Sequence, residues 1–454
     1  MRTLLLLITG AAGGLAAQAR PAAGPLASWP VVAELPGMGR AIDTAATAGR
    51  RHALARRIGR GVVVVPAAHE RELELDYVQD NDFRQHNTFF YLTQLEAKDA
   101  WLVMTVRSPD SVETVLFLPP RNPMRERWTG AALGPDSLAA RLTGIATVLP
   151  TDSLERRLQR LPFASPGPVY LPLDVTTRQE TRVLDAVFRL RDVRNLRPVV
   201  DSMRLVKGAE EIARLQHAVD VSVAGHVAAM QAARPGMFEY ELEAALEAGF
   251  RRNGADRVGY PSIVGSGPNS TTLHYDVNRR QMKDGELVVI DAAAEWGQYT
   301  ADITRSFPVN GTFTPRQKAI YDLVLATQAA AFDSIVVGVS TMGDLGRVAR
   351  EYMRTHSGTL CGERTCDAYY IHSLGHWIGM DVHDVGDYAT PLAPGMTFTL
   401  EPGIYLPAEA LGVRIEDDVL ITAAGPVWMS AAAPRTTADI ERVMREGRRQ
   451  RGGR

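Results

Sequence analysis

The run ELVVIDAAAEWGQYTADITRSFPV, residues 286–309, constrains the fold more than any other stretch of the chain. Two β-rich runs flank Glu295-Trp296-Gly297-Gln298, a pattern that predicts a hairpin closed by a tight turn containing Gly297. With Trp296 and Gly297 as the loop, Asp291 and Asp302 fall directly opposite one another, on one face and roughly 5 Å apart between Cβ atoms. Like charges so placed repel, so solvent or a cation must separate them. Oxygen donors suit divalent ions such as Mn, Mg or Ca; taken alone, the pair favours a solvated face over a metal site.

A second feature shifts that balance. HSLGHWIGMDVHD, from His372 to Asp384, holds three of the ten histidines, His372, His376 and His383. His at i and i+4 invites comparison with the zincin helix, but that arrangement needs Glu directly after the first His. Here Ser373 follows His372, and Gly375 and Gly379 weaken a helical assignment. Two more acids sit in strand contexts: Glu401 in TFTLEPGIYL, held extended by Pro402, and Glu416 in GVRIEDDVLIT. Asp, Asp, His, Glu and Glu together supply the mixed oxygen and nitrogen donors of a two-metal hydrolytic centre. His274, in TTLHYDVN, follows GSGPNS, a run too short for a phosphate loop and without its GK[ST] ending, hence a turn.

Apolar residues make up 45% and charged residues 22% of the 454, an ordinary globular composition for about two or three domains. A formal net charge of -2 argues against a nucleic-acid partner, which demands a concentrated basic face. The basic segment RVMREGRRQRGGR at the C-terminus reads as a solvated chain end. At the other end Arg2, an apolar run and Ala17-Gln18-Ala19 read as a secretory signal peptide over residues 1–19. The run is short of the ~20 apolar residues of a membrane span, so no stable anchor is expected and the chain is expected to be exported, periplasmic or secreted. In that compartment Cys361 and Cys366, the only two cysteines, are expected to form a small-loop disulfide.

After a Pro/Ala/Gly-rich linker over 20–46, strand-like runs (GVVVVPA, AWLVMTV, VETVLFLPP) alternate with helical ones (DSLERRLQRL, RQETRVLDAVFRLR), which predicts an α/β domain over 47–205. A long amphipathic stretch from Ala209 opens a second domain, 206–454, that ends in the basic tail.

The segments VVIDAAAEWGQYTADITRSFPVNG, HSLGHWIGMDVHD, TLEPGIYL and GVRIEDD, in that order, resemble the ligand motifs of the pita-bread metallopeptidases, in particular the Xaa-Pro aminopeptidase (aminopeptidase P) group. Upstream, DNDFRQHNTFFYLTQLEAKDAWLVM and LFLPPRNPMRERWTGAALG are similar to the N-terminal domain that this group shares with prolidase. The resemblance implies an α+β pita-bread catalytic domain behind the α/β domain, and two divalent ions, Mn first, with Zn or Co as substitutes. By position, Asp291 chelates one ion, Asp302 and Glu416 bridge both, and His376 with Glu401 completes the second site. His274, His372 and His383 match the histidines that contact substrate and handle protons, and Arg414 matches an Arg behind the site. Proline-containing peptides are the implied substrates, and a homo-oligomer, dimer or tetramer, the implied assembly. A tryptophan that reaches a neighbouring subunit's site in the group falls at Phe90 in this reading. Prolidase is the rival activity, but the stretch from His383 to Glu401 contains no Arg to hold a dipeptide's free carboxylate. Methionine aminopeptidases usually lack the N-terminal domain, and non-catalytic pita-bread proteins have lost ligands that this chain keeps.

Overall fold

The computed structural model describes residues 40–69, 83–164, 167–173 and 192–452. The segment read as a signal peptide, most of the stretch read as a linker and the helix expected over 178–191 lie outside the described residues. The first helix, α1 (Thr44–Ile58), begins inside the stretch read as linker, because Asp43 accepts the Ala46 N–H at 2.8 Å and caps it.

The first domain is one sheet with helices around it. Strands β1 (Gly61–Pro66), β2 (Trp101–Ser108), β3 (Ser111–Leu118), β4 (Thr147–Pro150), β5 (Val169–Leu171) and β6 (Val193–Asn195) run in the order β4-β3-β2-β1-β5-β6. β2 and β3 form an antiparallel hairpin, whereas β5 joins β1 in parallel. All six residues of β1 are buried, as a strand covered on both faces requires. Helix α2 (Asn87–Thr93) buries Phe89 to Thr93. Phe90, at the position of that tryptophan, is only 3% exposed and belongs to this core.

Among the described residues this half also holds the short helices α3 (Pro123–Thr129), α4 (Ser137–Thr143), α5 (Leu154–Ala164) and α6 (Arg197–Arg204). The long helix α7 (Ala209–Ala232) then opens the second domain, its N-terminus closed by the Glu211 carboxylate on the Gly208 N–H at 2.9 Å. α7 lies against α8 (Glu239–Arg252). Strands β7 (Arg257–Val258), β8 (Ile263–Ser266), β9 (Leu287–Asp291), β10 (Ala294–Trp296), β11 (Tyr299–Thr300) and β12 (Thr304–Pro308) follow, in two three-stranded sheets, β12-β9-β8 and β11-β10-β7. After helices α9 (Pro315–Asp333) and α10 (Met342–His356), strands β13 (Thr397–Leu400) to β17 (Gly425–Trp428) finish the sheet structure.

The last helix, α11 (Thr437–Gly452), corrects the reading of the basic tail as a solvated end. Ile440, Val443 and Met444 are buried at helical spacing, and the helix packs on α7. Only its other face carries the arginines to solvent.

The two domains share one apolar core. Leu54, Phe89 and Leu102 of the first belong to the same buried cluster as Leu215 and Val219 of α7, Trp296 and Tyr299 of the central hairpin, and Ile378 and Met380. Among the described residues no helix is long and apolar enough to cross a membrane.

Candidate metal centre

The central hairpin turns at Gly297 and Gln298, with φ of 57° and 65°, the doubly left-handed pair of a type I′ turn. Trp296 pairs with Tyr299, and Asp291 with Thr304. The register is therefore two residues from the one expected with Trp296 and Gly297 as the loop. A tryptophan disfavours a left-handed backbone, whereas Gln298 is tied there by donating from Nε2 to the Gln85 carbonyl at 2.6 Å. A slip of two keeps the face, so Asp291 at the end of β9 and Asp302 just before β12 still meet, although they are not cross-strand partners.

Glu416 lies between β15 (Leu411–Arg414) and β16 (Asp417–Thr422) and bridges to Thr304, whose hydroxyl donates to Glu416 Oε2 at 2.7 Å. Glu401 follows β13 directly. His376 is laid along that strand: its N–H donates to Thr399 Oγ1 at 3.0 Å and its carbonyl accepts from the Thr399 N–H at 2.9 Å. The histidine-rich segment is thus extended and irregular, in line with its glycines.

A cleft of about 670 Å³ is lined by all nine residues named from the sequence. His376 Nε2 lies 3.3 Å from Asp302 Oδ2, 3.4 Å from Glu401 Oε1 and 3.9 Å from Glu416 Oε1. Asp302, His376 and Glu416 offer donor atoms all within 4.8 Å of one another. Asp291, Asp302, His376 and Glu416 are buried, while His274 and His383 are exposed along the open wall. The His383 ring stands edge-on to His376, 4.3 Å between centroids.

Charge crowding shows in the protonation of the cluster. Burial raises Asp302, helped by Asp291, and carries Glu416 well above the carboxylate range, helped by Asp302 and Glu401. Burial also lifts Glu401 to about 7, opposed by His376. Burial would lower His376, but Asp302 and Glu401 outweigh it and hold that imidazole at about 9. Burial, seconded by Arg414, drops His372 to about 4, and burial, seconded by His376, lowers His383.

Arg414 lines the cleft with its donors already engaged. Nη2 donates to Asp291 Oδ2 at 2.6 Å and to the Leu273 carbonyl at 3.4 Å, Nη1 to the Tyr405 hydroxyl at 3.0 Å, and Nε to Thr304 Oγ1 at 3.2 Å. Two tyrosines escaped the sequence reading. The Tyr260 hydroxyl bonds Asp291 Oδ1 at 2.7 Å and also Asp302, and the Tyr405 hydroxyl lies 2.8 Å from His372 Nε2. The only local signal was their place in YPSIV and GIYL, beside segments already of interest.

Comparison with known proteins gives matches over both domains. The family model for metallopeptidase family M24 matches residues 213–423, and that for the aminopeptidase P N-terminal domain matches residues 47–170. The chain is 36% identical over 404 residues to the Xaa-Pro aminopeptidase of Haemophilus influenzae, covering 82% of this chain and 91% of that one. Its structure is similar to that of aminopeptidase P from E. coli with the inhibitor Pro-Leu, with a TM-score of 0.83 and 33% identity over 90% of this chain and all of that one. A Zn-substituted E. coli aminopeptidase P in complex with product also matches, with a TM-score of 0.82 and 33% identity over 90% of this chain and 99% of that one.

Proposed function

The chain belongs to metallopeptidase family M24, with the N-terminal domain of aminopeptidase P ahead of its catalytic domain, and from that premise we infer a metallo-aminopeptidase that releases the N-terminal residue from peptides with proline in second position. The observation that carries this reading is the convergence of Asp291, Asp302, His376, Glu401 and Glu416 on one cleft.

These residues fit a pair of divalent ions. Glu416 Oε1 is buried without a hydrogen-bond partner among the described residues, and four carboxylates with a single imidazole suit harder ions, Mn first and Zn or Co as substitutes. Asp291 would hold one ion, Asp302 and Glu416 both, and His376 with Glu401 the other. Bound there, the ions lower the pKa of a water and polarise the scissile carbonyl.

The remaining work falls to the protein. Glu401 accepts a proton from the attacking water at a carboxylate oxygen and returns it to the departing prolyl nitrogen. His274 and His383 on the open wall hold the oxygen on which negative charge develops, where losing one donor commonly costs about 3 to 4 kcal/mol. His372, kept neutral by burial, orients the Tyr405 hydroxyl between itself and Arg414.

Length preference follows from Arg414. A dipeptide leaves a carboxylate beside the scissile bond, and burying that charge unpaired is costly. Arg414 is spent on Asp291, Tyr405, Thr304 and Leu273, so tripeptides and longer peptides should be preferred. Hydrolysis of Ala-Pro-Ala, Ala-Pro and Ala-Ala-Ala by Mn-loaded protein tests the reading. Ala-Pro-Ala should be cut fastest, at its first bond. A tenfold preference for Ala-Pro, about 1.4 kcal/mol in transition-state binding, would make the chain a prolidase, and equal cleavage of Ala-Ala-Ala would remove the proline requirement.

A further inference from the structure

His383 sits on a loop that the catalytic domain does not hold alone. Between Trp377 and Asp384 the backbone closes on itself through two bonds, the Asp384 N–H to the Trp377 carbonyl at 2.9 Å and the Gly379 N–H to the Asp381 carbonyl at 3.2 Å. The catalytic domain ties the start of the loop, through the Ile378 N–H to the Thr397 carbonyl at 3.2 Å and the Thr300 N–H to the Gly379 carbonyl at 2.9 Å, and its tip and far end are held from the first domain and the connector. Arg84 donates to the Met380 carbonyl, and Asn87 Nδ2 to Asp381 Oδ2 at 2.6 Å. Arg204, at the end of α6, donates from Nη2 to Asp381 Oδ2 at 3.1 Å and to Asp384 Oδ1 at 2.5 Å. Lys207 Nζ stands 3.2 Å from Asp384 Oδ2.

The last contact is buried. The Lys207 and Asp384 side chains are each 1% exposed, so neither charge has water as an alternative partner. Gly379 makes room for them: a Cβ there would lie 2.2 Å from Asp384 Oδ2 and 2.9 Å from Lys207 Cε. The position therefore accepts only glycine while the pair is in place. Asp384 directly follows His383 in the chain, so fixing its carboxylate fixes the backbone from which the imidazole projects.

We infer that Lys207 and Arg204 are positioning residues for the peptidase reaction, acting through Asp384 to hold His383 at the cleft wall. Through Arg84 and Asn87 the first domain secures the same loop. This inference rests on the role proposed for His383, and its test separates the two.

The experiment is a double-mutant cycle on the metal-loaded full chain with Ala-Pro-Ala as substrate: parent, Lys207→Met, His383→Ala and the double variant. Lys207→Met leaves Asp384 its Arg204 partner, which keeps the loop closed enough to fold. It should lower kcat tenfold or more with KM and bound Mn unchanged. In the His383→Ala background it should alter kcat less than twofold, because the group it positions is gone. A general folding defect would slow both backgrounds alike. Losses that multiply, or a Lys207→Met enzyme as fast as the parent, would overturn the inference while leaving His383 in its role. A His383→Ala enzyme with parental rate would overturn both.

Discussion

Arg414 Nη2 and Asp291 Oδ2 meet at 2.6 Å in a buried contact on the floor of the cleft. The guanidinium offsets part of the carboxylate crowding and fixes the rotamer in which Asp291 faces Asp302. Removing such an outer partner typically costs tenfold to a hundredfold in metal affinity or activity. Arg414→Met should therefore weaken Mn binding and lower kcat/KM by about that range, as titration calorimetry and steady-state kinetics would show. Parental affinity in that variant would remove Arg414 from the site's electrostatics.

The cluster around His376 separates metal binding from rate. Asp302→Ala and Glu416→Ala delete carboxylates that lie 3.3 and 3.9 Å from His376 Nε2, and both should abolish metal occupancy together with turnover. His383→Ala should retain two ions per chain and lose about a hundredfold or more in kcat. Elemental analysis of the purified variants decides this. Two ions in Asp302→Ala would refute the ligand assignment.

Acid stability should depend on a histidine behind the cleft. His226 is fully buried in α7 with Nε2 at 2.9 Å from the Ala292 carbonyl, and burial depresses it to about 4. Between the unfolded value of 6.5 and about 4 the unfolded chain binds a proton that the folded chain refuses, so stability falls as pH drops through that window. His226→Leu should lack this contribution. The difference in Tm between parent and variant should shift against the parent from pH 7 to pH 4.5; a constant difference would mean that His226 is protonated in the fold.

The disulfide and the expected export make a linked prediction. Cys361 and Cys366 are joined across a sequence separation of 5, and closing so short a loop contributes about 2 kcal/mol by chain entropy. The Cys361→Ser/Cys366→Ser protein should lose about that much stability by denaturant titration. Protein recovered from its native host should begin at Arg20, as N-terminal sequencing would reveal; an intact Met1 in a cytosolic fraction would defeat the export reading.

What could be read from the sequence was whatever is local. Asp291, Asp302, His376, Glu401 and Glu416 each stand in a short apolar segment with a recognisable pattern, and all five line the cleft. The hairpin register was missed by two because the turn's position depends on what holds Gln298, and that is Gln85, more than two hundred residues away. Tyr260, Tyr405 and Lys207 escaped for the same reason: their significance lies in partners that only the tertiary fold supplies. In the basic tail, arginine density masked the helical spacing of Ile440, Val443 and Met444.

The apolar cluster that runs from Leu54 and Phe89 through α7 to Trp296 and Ile378 has a consequence for how such a protein can be rebuilt. A catalytic half cut away near residue 206 would carry the face of Leu215, Val219, Trp296 and Tyr299 into water, an exposed surface of the kind that drives aggregation. Transplanting the first half from a relative would succeed only if its contribution to that seam came with matching volumes. Modularity at the level of sequence motifs therefore ends at the seam, and the workable unit for truncation, fusion or recombination is the pair.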